Sequence, residues 1–166
     1  NIFILGGKMA KISVDNDVNI CDVKRCLSCK GITVVKQISC TLQGRIYLCK
    51  LNNKFIVAKV ASMLLHRNGI TNTIPGKYIK VKENIIKEIK IIKYLQHKKP
   101  VKGFINLVDY TVNNEYIILC MDYCGIDMFD YVMSHTQKIE ADLMDAKLWA
   151  NHVRILFKQM AYFIKF

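Results

Sequence analysis

Phe55-Ile56-Val57-Ala58-Lys59-Val60 is the most apolar run of the chain, and it carries a lysine near its end. A short apolar run of this kind reads as a strand buried on both faces. An ammonium inside such a strand needs an anion, because burying an unpaired charge is costly. A second stretch, Lys82 to His97, offers one. Ile85, Ile92 and Leu95 recur there at helical spacing, with Ile89 beside them. Glu88 falls on that same face, between Ile85 and Ile92, and is equally anomalous without a partner. Lys59 with Glu88 is the economical match, and an ammonium held in place by a carboxylate is suited to gripping phosphate oxygens. The alternative is that both charges reach water independently along the surface. Glu83 and Lys87 read as an ordinary exposed i, i+4 pair.

Outward from these two stretches the chain reads as alternating strands and helices. Ile32 to Ser39 is β-branched and reads as a strand, and Arg45 to Lys50 alternates and reads as a second. Asn52-Asn53 suits a tight hairpin turn into the lysine-bearing strand, since asparagine tolerates positive φ. His66 to Lys77, with Gly69, Pro75 and Gly76, reads as loop. Phe104 to Tyr110 and Tyr116 to Met121 read as two further strands joined at Asn113-Asn114. A short helix follows from about Asp127 to Ser134, and a long one from about Asp142. The long helix places Trp149, Val153, Leu156, Met160 and Phe163 on one face, which reads as core. Residues 1–31 carry no long periodic pattern and read as an extension or a loosely packed first element. No internal repeat appears.

Gly44-x-Ile46, Val57-Ala58-Lys59, the run Lys87-Glu88-Ile89-Lys90-Ile91-Ile92-Lys93-Tyr94-Leu95-Gln96-His97, Glu115 to Cys124, and Asp127-Met128-Phe129-Asp130-Tyr131 fall in one order along the chain. In that order and spacing they resemble the N-terminal lobe of the protein kinase family, over about Ile32 to Phe166. The resemblance implies an α+β fold. It would be a kinase-like N-lobe with a five-stranded antiparallel sheet and helix C, followed by helices D and E of an incomplete C-lobe. It implies an N-terminal extension at 1–31, the lobe at 32–121, a hinge at 122–126 and the start of the second lobe at 127–166. Lys59 would pair the α- and β-phosphates of ATP, with Glu88 as its helix-C partner. Ile38 and Ile46 would cover the adenine, Met121 would stand at the gatekeeper position, and the backbone of Asp122 to Cys124 would hydrogen-bond the adenine edge. Asp127 matches the position where an acidic residue meets the ribose.

The departures are specific. Where the family has G-x-G-x-x-G over the phosphates, this chain has Ser39, Thr41 and Gly44, so two glycines that permit close backbone approach are replaced. Val57 stands where the family usually has alanine. Ser62 to Lys80 would be an inserted loop. Neither a His-Arg-Asp catalytic loop nor an Asp-Phe-Gly magnesium site occurs in the 166 residues. Magnesium would therefore belong to a complete domain, with no metal ligand here. The chain starts at Asn1 and stops at Phe166 inside an apolar helical pattern, which reads as part of a longer domain. By itself it is expected to be inactive. In a complete domain the resemblance implies phosphoryl transfer from ATP to protein Ser or Thr, on a protein substrate the sequence does not name.

Composition narrows the classes. Hydrophobic residues make up 52% and there are two prolines, a globular balance. Isoleucine, lysine and asparagine are abundant, the usage of an AT-rich coding sequence. The formal charge is +12, yet the lysines, among them Lys77, Lys80, Lys82, Lys87, Lys90 and Lys93, are dispersed rather than gathered. That argues for solvated faces and against nucleic acid. The seven cysteines are odd in number and follow no signal peptide, and Ile2 to Leu5 is too short for a membrane span. Reduced thiols in an intracellular compartment are the simplest reading. Cys26 and Cys29 form one C-x-x-C near Cys21, without the second pair a zinc site usually has. Two other readings remain: a pseudokinase or truncated kinase-like scaffold that acts by binding protein, and a small basic nucleic-acid binder.

Overall fold

The computed structural model describes residues 18–74, 77–98, 105–125, 128–141 and 145–164. Two compact units divide the chain, one through Tyr123 and one from Cys124.

The first unit begins with α1 (Ile20–Ser28), then β1 (Thr33–Cys40), β2 (Gly44–Leu51) and β3 (Lys54–Ser62). Next come α2 (Met63–Asn68), β4 (Ile70–Ile74), β5 (Lys77–Lys80) and α3 (Ile85–Lys98), and the unit closes with β6 (Leu107–Val112) and β7 (Tyr116–Asp122). Five strands form one antiparallel sheet in the order β1-β2-β3-β7-β6, and β4 and β5 form a separate hairpin. The β2–β3 turn has φ of 47° at Asn52 and 65° at Asn53, the left-handed pair a two-residue hairpin requires. The α+β class and the five-stranded antiparallel sheet that the resemblance implies are both present.

Strand alternation divides the core into two layers. On one face Tyr47, Cys49, Ala58, Val60, Ile118 and Cys120 pack against Val23 and Leu27 of α1. On the other, Ala61, Ile117 and Leu119 pack against Ile85 and Ile89 of α3, with Ile86 and Ile92 alongside. β3 is therefore covered from both sides, although its first apolar residue, Phe55, is 48% exposed rather than buried.

Two expectations are corrected. Residues 18–31 are not a loose extension: the Asn19 side chain caps α1 by accepting from Cys21 N–H at 3.0 Å, and Val23 and Leu27 enter the core. The far end of α1 is tied to β6, where Lys30 Nζ lies 2.7 Å from Asp109 Oδ2 and donates to Thr111 Oγ1 at 2.7 Å. Residues 1–17 lie outside the described residues. The second correction concerns the expected loop from His66 to Lys77: it contains the end of α2, all of β4 and the first residue of β5, while Pro75 and Gly76 lie outside the described residues. Ser62 caps α2 through Leu65 N–H, and Gly69 ends it at φ 59°.

Because α1 closes one face of the sheet, trimming it costs stability. Val23→Ala, at a site with 0% exposure, is expected to lower unfolding free energy by about 2 kcal/mol in urea titration without changing the slope.

The second unit holds α4 (Met128–Glu140) and α5 (Ala146–Ile164). Asp145 caps α5, accepting from Lys147 and Leu148 N–H at 2.6 and 3.1 Å. Tyr131 OH lies 2.9 Å from His152 Nε2, and His135 stacks on Trp149 with ring centroids 4.5 Å apart. Trp149, Val153 and Leu156 are half-buried, whereas Leu148 and Phe157 are exposed. The side chains of Met160 and Phe163 are outside the described set. Among the described residues, no helix is long and apolar enough to cross a membrane.

Candidate functional site

Lys59 projects from β3 toward α3. Its Nζ donates to both oxygens of Glu88, at 3.0 Å (Oε1) and 3.1 Å (Oε2), and lies 2.7 Å from Glu83 Oε1. The lysine side chain is 11% exposed, Glu83 17% and Glu88 41%. Burial pushes the Lys59 pKa down, but hydrogen bonds and charge from Glu83 and Glu88 outweigh it and hold the group above the ordinary lysine value. The two charges found on separate apolar stripes thus meet, rather than reaching water apart.

Glu83 is the residue the sequence reading missed. It is not one half of an exposed pair with Lys87. It precedes the helix: Asn84 caps α3, accepting from Lys87 N–H at 2.8 Å, and Glu83 stands one residue before that cap. The signal was Asn84 itself, an N-cap type that moves the helix start past Glu83. Glu83 Oε2 is buried and has no hydrogen-bond partner among the described residues.

Register places other expected residues around Lys59. Ile46 pairs with Lys59 across β2–β3, and Leu119 pairs with Lys59 across β3–β7. Val57 pairs with Leu48 on one side and Met121 on the other. Cross-strand partners share a face, so Ile46, Val57, Lys59 and Met121 lie on the α3 side of the sheet. Ile38 sits where the β1–β2 register shifts between Gln37 and Ser39, and is 41% exposed.

The β1–β2 turn is stitched down rather than open. Thr41 N–H donates to Gly44 O at 2.9 Å, and Ser39 Oγ donates to Cys40 O at 3.3 Å. Gln43, 1% exposed, donates from Nε2 to Leu65 O and Ile70 O, both at 3.1 Å, and its own carbonyl accepts from Ser62 N–H at 3.0 Å. Thr71 Oγ1 donates to Leu42 O. The inserted segment after β3 therefore anchors the turn that, by resemblance, would cover phosphates. The sheet itself requires Gly44: a Cβ there would overlap the Val60 carbonyl oxygen.

At the other end of the strip, the Asp122 N–H donates to Asn106 O at 3.1 Å, so that donor is taken by the protein. The Asp122 carboxylate accepts from Lys54 Nζ and Asn106 Nδ2, each at 2.7 Å, and these partners hold it below the usual carboxylate range. Cys124 is exposed and begins the second unit. Asp127 lies outside the described residues. All seven cysteines are free thiols. Cys26 is 3.7 Å from Thr111 Oγ1, and among the described residues no group of three His, Cys, Asp or Glu is placed to hold a metal.

No family model matches the chain, and no curated protein matches its sequence.

Proposed function

We propose that this chain is a phosphate-gripping α+β lobe, and more particularly the ATP-binding portion of a protein kinase-type domain. One observation carries the reading: a nearly buried ammonium on the third strand of a five-stranded antiparallel sheet, held by both oxygens of a carboxylate on the packed helix. Such a pair fixes a cation at the edge of an apolar strip. Ile46, Val57 and Met121 would face the adenine, and Lys59 would meet the phosphates. The family's catalytic loop and magnesium site are not among these residues, so phosphoryl transfer to protein Ser or Thr would need parts beyond them. The reduced thiols fit an intracellular setting.

A second reading, a kinase-like module that works by binding protein, is favoured by the anchored β1–β2 turn with Ser39 and Thr41 in place of glycine. Titration with ATP and adenosine separates the two. Under the nucleotide reading ATP binds at least about tenfold more tightly than adenosine, an order set by one well-placed charge contact. Lys59→Arg keeps the charge and the fold but displaces the donors, and is expected to erase most of that preference. Val57→Phe, which fills the strip, is expected to weaken adenosine as well. Equal affinity for ATP and adenosine, unchanged in Lys59→Arg of unaltered circular dichroism, would favour the protein-binding module.

A further inference from the structure

An ammonium has three N–H donors. On Lys59 all three have carboxylate oxygens within reach, two from Glu88 and one from Glu83. A phosphate oxygen approaching Lys59 must displace one of them. It also meets a cluster with one negative charge in excess, since two carboxylates face a single ammonium.

The two carboxylates are not equally seated. Glu88 lies inside α3, one turn past its cap, and both of its oxygens hold Lys59. Moving it means moving the helix. Glu83 lies in the non-helical segment 81–84, between β5 and the Asn84 cap. Only one of its oxygens is placed against Lys59, and the other is buried without a partner among the described residues. A buried oxygen left unsatisfied makes the seated position costly, so Glu83 leaves more readily than Glu88.

Resting on the nucleotide reading above, we infer that Glu83 is a built-in latch that occupies the phosphate-binding donor of Lys59 and must withdraw before a polyphosphate nucleotide can bind. The carboxylate mimics the anion it excludes in charge and in its place beside the ammonium, 2.7 Å from Nζ. Ligands without phosphate have no need of that donor and are indifferent to the latch. The latch therefore discriminates by the number of phosphates that reach Lys59, and sets an affinity threshold that anything pulling residues 81–84 away would lower.

Glu83→Gln tests this, with Glu83→Ala as a second variant that cannot hold Lys59 at all. Both are titrated with ATP, ADP and adenosine in magnesium-containing buffer, with circular dichroism as the check on folding. Removing one charge from the cluster is expected to tighten ATP about tenfold and to leave adenosine unchanged. In the wild-type chain, ATP is expected to speed amide exchange at residues 81–84. ATP binding by Glu83→Gln but not by wild type would support the latch most directly. Wild-type ATP binding that Lys59→Arg weakens, but that neither Glu83 variant tightens, would overturn the latch and leave the nucleotide site standing. Absence of ATP binding in all the folded proteins would overturn both.

Discussion

Gly44→Ala is expected to be the most damaging single-methyl change in the first unit, costing more than about 4 kcal/mol, a range reached only by a few mechanisms. The new Cβ would overlap the Val60 carbonyl oxygen and come within 2.8 Å of Ala61 Cα. Both are backbone atoms of the neighbouring strand, so no side-chain rotation relieves the clash. β2 must part from β3 where Gly44 pairs with Ala61. That parting strains the Ser62 N–H bond to Gln43 O, and with it the Gln43 side-chain bonds to Leu65 O and Ile70 O. The damage should thus spread from the sheet into α2 and β4. Thermal unfolding and urea titration of Gly44→Ala beside wild type measure it. A loss below about 1 kcal/mol, the size of an ordinary surface change, would mean that the strands separate without cost and that the account of Gly44 is wrong. The prediction also bears on function. Loss of nucleotide binding in Gly44→Ala would report a broken sheet edge, so this variant cannot stand as proof of a phosphate loop.

What could be read from sequence followed from how local each signal was. Asn52-Asn53 between two strand-like runs specifies its own turn, because positive φ is a property of those residues. Lys59 and Glu88 lie far apart in sequence, yet each was out of place on an apolar stripe, and the cost of leaving either unpaired linked them. Glu83 gave no such signal. Its neighbours are polar, Lys87 offered a plausible partner four residues on, and only the tertiary fold turns it inward. α1 was hidden for a related reason: its apolar stripe is little more than Ile20, Val23 and Leu27 among lysine, arginine, cysteine and aspartate. β4 and β5 are short strands, and the Pro75-Gly76 dipeptide in the sequence between them is a pattern that locally means loop. What favours the hairpin as structure is the amide of Gln43, reaching in from another part of the chain to the Ile70 carbonyl. The strand contact that requires Gly44 was not legible, since a glycine that permits strand contact and one that admits a phosphate look alike in sequence.

Removing the ammonium at the centre of the site should expose how much the cluster depends on it. Lys59→Ala leaves Glu83 and Glu88 facing each other without a cation. Breaking a buried pair by deleting one partner typically costs about 3–5 kcal/mol. Glu88 is 41% exposed, and water screens its share, so the lower end, about 3 kcal/mol, is expected at neutral pH. In the variant the penalty at neutral pH is the uncompensated negative charge that the missing ammonium leaves. At the alkaline end wild type loses its own advantage, and the deficit narrows. Wild-type Lys59 has its pKa raised above 10.5 in the fold, by Glu83 and Glu88 against the downward pull of burial. Its contribution is therefore fully present below about 10.5 and lost as pH rises through the folded value, a loss that Lys59→Ala cannot show. Urea titrations of both proteins at a series of pH values give the two curves. Adding Glu83→Gln and Glu88→Gln to Lys59→Ala should recover most of the lost stability at neutral pH, because it removes the stranded charges while keeping their shape. A deficit that stays unchanged as pH rises through the titration of Lys59, and that the two glutamines do not relieve, would mean that the lysine acts by packing its stem and that the three charges are not energetically joined.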